Sequence, residues 1–147
     1  MKYNNNLKVI REQHTLTQND IANILGVDRT VYTKYENGYE LIPIKHLLTF
    51  CNYFLVSVDY IFGLSTFKND IKFQKEINLD LIGSRLKEFR KKHKLTQEKL
   101  AKILNTNKSV LCNYEKGRYL IATPFLYQIC HKYQVSADYL LGRIDIS

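Results

Sequence analysis

No segment of this chain has the make-up of a leader or a membrane span. The opening residues, MKYNNNLKVIREQH, contain no apolar core of the kind a secretory signal needs, so none is expected. The most apolar stretch, His46 to Leu64, is interrupted by Asn52, Ser57 and Asp59, which favours packed helices over a bilayer span. Cysteine is scarce: there are three residues, an odd number, with no C-x-x-C spacing. That argues against a disulfide framework and a zinc motif, and points to a reducing cytoplasm. No grouping of His, Cys and carboxylate residues has ligand or triad spacing. Neither a metal site, a cofactor, a small-molecule ligand nor an enzymatic activity is therefore expected. Strand-like alternation is missing from the two halves of the chain, which excludes a β-rich fold for them.

What is present is ordinary in amount. Of 147 residues, 45% are hydrophobic and 24% charged, the balance of a globular protein rather than a disordered one. Lys and Arg number 22 against 14 Asp and Glu, a net charge of +8. An excess of that size suggests a polyanionic partner, most simply nucleic acid.

A duplication organises the sequence. Shifted by 79 positions, Leu7–Leu64 aligns with Leu86–Arg143 without a gap, and 23 of 58 positions are identical. LTQNDIANIL answers LTQEKLAKIL, YENGYELI answers YEKGRYLI, and VSVDYIFG answers VSADYLLG. The period exceeds the roughly 20–50 residues of solenoid repeats, so each copy is a small domain. The expected organisation is copy one at 1–64, a linker at 65–80 and copy two at 81–147.

Each copy predicts five short helices. In copy one they cover about 5–14, 17–25, 29–37, 44–54 and a last turn through Tyr60. In copy two they cover 82–93, 97–104, 108–116, 124–133 and 137–141. Thr17 with Asp20 has the spacing of a capping box. Gly26 suits a left-handed turn, and Asn105 replaces it in copy two. Asp28 is placed to cap the third helix, Ser57 the fifth, and Thr123-Pro124 to form a cap and first-residue pair.

The centre of each copy pairs two helices of eight or nine residues through a short Gly or Asn turn, the plan of a helix-turn-helix. TQNDIANILGVDRTVYTKYENG and TQEKLAKILNTNKSVLCNYEKG, with the endings NYFLVSVDYIFG and KYQVSADYLLG, resemble the lambda-repressor-like (Xre/Cro type) helix-turn-helix proteins. The resemblance covers about 120 residues and implies an all-α fold of two tandem five-helix domains. It implies sequence-specific binding to double-stranded DNA, with the third helix of each copy in the major groove.

Solvent-facing positions of that helix are Arg29, Thr30, Thr33 and Lys34 in copy one, and Lys108, Ser109, Cys112 and Asn113 in copy two. By resemblance these fall where family members contact bases. Arg29 or Lys108 can donate to guanine, and Asn113 can pair with adenine. Gln18 and Gln97 match a family glutamine that touches phosphate and braces the recognition helix. Asn37, Lys116 and Arg118 follow the third helix and are candidates for the next phosphates. Arg11 with Glu36, and Arg90 with Glu115, match a family pair that joins the first and third helices by an internal salt bridge. Cys51 and Cys130 are expected as core thiols, and Cys112 as an exposed one. His14 and His93 suit the end of a helix, where a cationic or polar group meets the dipole.

The charge is unevenly divided. Residues 1–64 hold 6 basic and 6 acidic groups, residues 65–80 hold 3 and 3, and residues 81–147 hold 13 and 5. The net charges are thus 0, 0 and +8, and Arg85, Lys87, Arg90, Lys91, Lys92 and Lys94 crowd the first helix of copy two. Copy two is therefore expected to hold DNA more tightly than copy one. Simple family members act as homodimers on half-sites about 34–36 Å apart. A flexible 16-residue linker averages about 20–24 Å end to end and extends to about 55 Å, enough for one chain to reach adjacent half-sites. Against a free tether, Phe67, Ile71, Phe73, Ile77 and Leu79 alternate with mostly polar residues. A strand, an arm laid on a domain, or a homodimer contact all fit that pattern.

The expected role is transcriptional control, repression before activation, in the cytoplasm and nucleoid of a bacterium or on a mobile element. The alternative is that copy one, neutral overall, contacts a protein or pairs chains in an antitoxin-like or adaptor role while copy two anchors to DNA.

Overall fold

In a computed structural model of the chain, the described residues are 3–66 and 76–145. They form ten α-helices and, among the described residues, no strand. The chain divides into two compact units, Met1–Ile71 and Lys72–Ser147. The first contains α1 (Asn4–Gln13), α2 (Gln18–Leu25), α3 (Arg29–Asn37), α4 (Ile44–Phe54) and α5 (Val58–Ile61). The second contains α6 (Leu79–Lys92), α7 (Gln97–Ile103), α8 (Lys108–Glu115), α9 (Thr123–Tyr133) and α10 (Ala137–Leu140).

Local chemistry explains most of the boundaries. Thr17 Oγ1 accepts from Asp20 N at 3.1 Å while Thr17 N donates to Asp20 Oδ2 at 2.8 Å, closing a capping box at the start of α2. Thr96 makes the first of these bonds to Lys99 N, but Lys99 has no acceptor to return. Behind α2, Gly26 takes φ 71°, and Asn105 takes φ 57° at the equivalent turn. Each residue tolerates the left-handed conformation that swings the next helix across the last. Ser57 and Ser136 cap the short closing helices through Tyr60 N and Tyr139 N.

Three local expectations change. Asp28 occupies the N-cap position of α3 but accepts no capping bond, whereas Asn107 caps α8 through Val110 N at 3.2 Å. Thr123 is the first helical residue of α9 rather than its cap. Ala122 is the N-cap, so Pro124 stands one place further in. α6 starts three residues before the expected Ile82, because Asn78 Oδ1 accepts from Leu81 N and opens the helix inside the presumed linker. Leu79 is thereby the first residue of α6, and Ile77 is exposed. Phe67, Ile71 and Phe73 lie outside the described residues.

Each unit encloses its own apolar core. Leu7, Ile21, Tyr32, Leu47, Phe50 and Ile61 are fully buried in the first, and Leu100, Leu111, Leu126 and Ile129 in the second. Cys51 and Cys130 lie at 0% exposure at equivalent core positions on α4 and α9. His14 and His93 end α1 and α6, each with Nδ1 at its own helix's carbonyl (Ile10 O, 2.8 Å; Phe89 O, 3.0 Å) and its ring on an aromatic neighbour.

Candidate nucleic-acid interface

The third helix of each unit is held from below by one buried hydrogen-bonded group of side chains. On α1, Arg11 Nε donates to Glu36 Oε2 at 2.7 Å and Arg11 Nη2 to Glu36 Oε1 at 3.1 Å. On α6, Arg90 does the same to Glu115 at 2.7 and 3.0 Å. Both arginines spend a further N–H on a turn carbonyl, Leu16 O or Leu95 O, at 2.9 Å. The forked guanidinium suits this geometry because it offers parallel donors to one carboxylate. The Glu36 side chain is 1% exposed. Burial by itself would push its carboxyl up, but the hydrogen bonds from Arg11 and Gln18 prevail and hold it below the usual carboxylate range. The hydrogen bonds of Arg11 to Glu36 and of Arg90 to Glu115 raise each arginine above its ordinary value.

Gln18 and Gln97 join these groups. Gln18 Nε2 donates to Glu36 Oε1 at 3.2 Å, and Gln97 Nε2 to Glu115 Oε1 at 3.1 Å. Each amide keeps a second N–H that no described residue takes, at the start of α2 or α7. In copy one the link continues outward, because Thr33 Oγ1 donates to Gln18 Oε1 at 2.8 Å. In copy two Cys112 stands in place of Thr33 and makes no hydrogen bond to Gln97.

Above this support lie the outer faces of α3 and α8. Arg29, Thr30 and Lys34 are exposed, as are Lys108 and Ser109, while Thr33, Cys112 and Asn113 are half-buried. Cys112 is thus less accessible than its helical position suggests. Lys34 Nζ reaches Glu40 Oε1 at 3.4 Å, and both side chains are about half exposed. At the equivalent place in copy two, Arg118 Nη1 donates to Asn113 Oδ1 at 3.1 Å. Asn37 ends α3 exposed, and Lys116 is the exposed C-cap of α8.

The basic residues of copy two separate into two groups. Arg85 donates to Tyr139 O and Ile144 O at 2.6 and 2.7 Å, and lies 4.1 Å over the Tyr139 ring. Arg143 and Asp138 form a buried pair at 2.5 Å. With Arg90, these two arginines are internal, so part of the charge excess never faces a ligand. Lys87, Lys91, Lys92 and Lys94 are exposed. Lys87 lines an open cleft of about 540 Å³ together with Gln97 and Lys108. It stands among the residues of the first helix in the sequence, but its place beside Gln97 is tertiary. The available signal is that Lys8 and Lys87 are identical in the two copies. Lys8 itself is 4.0 Å from Glu12 on α1, which offsets its charge. A larger hollow, about 720 Å³, is edged by Glu76, Asp80 and Asp145 and is the wrong sign for phosphate.

Among the described residues, no group of three or more His, Cys, Asp or Glu residues is arranged to hold a metal ion, and no helix is long and apolar enough to cross a membrane.

Comparison with known proteins gives two family matches, one per copy. Residues 7–61 match a helix-turn-helix family, and residues 83–146 match a helix-turn-helix domain family. The HTH-type transcriptional regulator ImmR of Bacillus subtilis is 41% identical over 66 residues, 45% of this chain and 52% of that protein. The match therefore spans about half of that relative. The antitoxin PezA of Streptococcus pneumoniae is 36% identical over 63 residues, 43% of this chain and 40% of its own. An uncharacterised HTH-type transcriptional regulator of Bacillus subtilis, YobD, is 32% identical over 118 residues, 76% of this chain and 97% of that protein. No solved structure matches the chain.

Proposed function

This chain belongs to the helix-turn-helix family of transcriptional regulators, and we propose that it represses transcription by binding double-stranded DNA in a sequence-specific way. One observation carries the reading. The outer faces of α3 and α8 are presented on identical buried Arg–Glu–Gln supports, beside unengaged N–H groups and exposed lysines. A rigid helix with short polar and cationic side chains outward is what the major groove accepts. Arg29, Thr30, Lys34, Lys108, Ser109 and Asn113 read base edges. Gln18, Gln97, Asn37, Lys116, Arg118 and Lys87 hold phosphates. The protein works in the bacterial cytoplasm, on the nucleoid, and occludes promoters.

The test is selection of genomic fragments by the full chain, followed by titration of enriched and scrambled duplexes at two salt concentrations. Enriched duplexes should bind at least about a thousandfold more tightly than scrambled ones. Equal affinities would reject sequence-specific regulation.

A second reading has its own support. Tyr53 and Leu55 of copy one are 56% and 61% exposed where copy two carries Lys132 and Gln134. A neutral domain with exposed apolar groups suits a protein contact, as in an antitoxin-like, adaptor or chain-pairing role. Tyr53→Lys with Leu55→Gln would then change the oligomeric state or partner binding and leave DNA affinity unaltered.

A further inference from the structure

We propose that the operator of this protein is composite: two unlike half-sites, one read by each copy, rather than two repeats of one sequence. The inference rests on the DNA-binding reading above. Its warrant is a contrast within one chain. The supports beneath α3 and α8 are the same to within about 0.1 Å, Arg to Glu to Gln, so the two helices are held in the same way. The groups they present differ at every outward position.

At the first position Arg29 offers a planar fork that matches guanine O6 and N7, and Lys108 offers a single mobile ammonium. At the third, the Thr33 hydroxyl is committed inward to Gln18 at 2.8 Å, so it leaves the groove a methyl group. Cys112 brings a half-buried thiol to that place and leaves the Gln97 oxygen without a hydroxyl partner. At the fourth, the difference reverses the chemistry. Lys34 stands beside Glu40 at 3.4 Å with both side chains about half exposed, so copy one carries a carboxylate next to its fourth outward residue. A carboxylate accepts from a cytosine amino group and repels guanine O6, N7 and phosphate. Copy two has Tyr119 in place of Glu40, and Asn113 is oriented by Arg118 at 3.1 Å. That unit presents the Asn113 amide and no carboxylate, which favours an adenine edge. Two surfaces of such different donor and acceptor pattern cannot share one preferred sequence.

The experiment is selection from a randomised duplex library with the full-length chain and with a converted chain. The converted chain carries Arg29→Lys, Thr30→Ser, Thr33→Cys, Lys34→Asn, Tyr39→Arg and Glu40→Tyr, which give copy one the outward residues of copy two. Thermal melts establish that it is folded. The natural chain should enrich a motif with two unlike halves. The converted chain should enrich a motif with two like halves, and should lose about tenfold or more in affinity for the natural motif. Glu40→Gln alone should alter one half and leave the other unchanged, which serves if the converted chain is unfolded. Two identical halves from the natural chain, a motif with a single half, or no change on conversion would each overturn the inference while leaving sequence-specific binding in place. No enrichment by the natural chain would reject the DNA-binding reading and this inference with it.

Discussion

Glu36 is the residue on which the hydrogen-bonded support beneath α3 depends. Its carboxylate receives Arg11 and Gln18, and through Gln18 it orders Thr33 on the outer helix. Glu36→Ala would leave the Arg11 guanidinium buried without a counter-charge, at a cost of about 3–5 kcal/mol, measurable by urea unfolding of the full chain. Replacing both partners with apolar residues should cost much less than the sum of the single changes, because no uncompensated charge remains. The same residue sets an acid limit. Its folded pKa lies below the ordinary value of 4.5, so its contribution to stability is complete above that value and is lost as pH falls through the folded one. Below about pH 4 the melting temperature of the chain should therefore fall, and fall less in Glu36→Gln. Recurrence makes these positions legible in the sequence, since Arg and Glu keep the same separation in both copies. The link from Gln18 to Thr33 is not legible there, because it depends on how far two helices stand apart.

At the scale of the element, the two copies reach one architecture by different local means. In copy one Asn4 Nδ2 donates to Glu36 O at 2.8 Å, bridging the start of α1 to the end of α3. In copy two Gly83 occupies that place and lets α6 approach directly. A Cβ there would lie 2.6 Å from the carbonyl oxygens of Tyr114 and Glu115. Gly83→Ala should push α6 from α8 and cost about 1–3 kcal/mol by overpacking. Gly26→Ala meets no atom within 4 Å, but it forces an alanine to φ 71°, and should cost about 1–2 kcal/mol with no change in helix packing. Thermal melts measure both losses. Amide exchange along α8 distinguishes them, because only Gly83→Ala should loosen that helix. The turn glycine is legible from sequence, since a backbone requirement is local. Gly83 reads from sequence only as a helix-weakening residue, and its purpose exists only once α8 is beside it. The early start of α6 has a similar cause: Asn78 caps it, and Gly117 packs on Leu79 and Asp80, two contacts that an apolar alternation in the sequence does not reveal.

For the whole molecule, the +8 net charge divides unequally twice, first between the copies and then between inside and outside. The sequence count places the excess in residues 81–147. The structure withdraws Arg85, Arg90 and Arg143 into internal bonds and leaves the lysines outside. Two substitutions of identical formal charge should then behave oppositely. Lys87→Ala should leave the melting temperature unchanged and lower the slope of log K against log salt by about 0.9, the share of one phosphate. Arg85→Ala should lower the melting temperature, since two carbonyls and the face of Tyr139 lose their cation, and should leave the salt slope nearly unaltered. Calorimetry and salt titration of the full chain measure the two effects. A salt slope lowered equally by both would show that DNA senses the net charge of the chain and not where that charge lies.

The sequence by itself determined the duplication, the helix-turn-helix plan, the all-α fold and the sign and place of the charge. Each of these is written in residue order, through periodicity, turn-forming residues and repeated spacing, and periodic backbone structure is local. The tertiary structure decided which cations face outward, which outward-seeming side chains are committed inward, and that Lys87 and Gln97 line one cleft. Those outcomes depend on distances between residues far apart in the chain. A lysine and an arginine on one helix carry the same charge, and only the neighbours that folding brings to them assign one to the solvent and the other to the core.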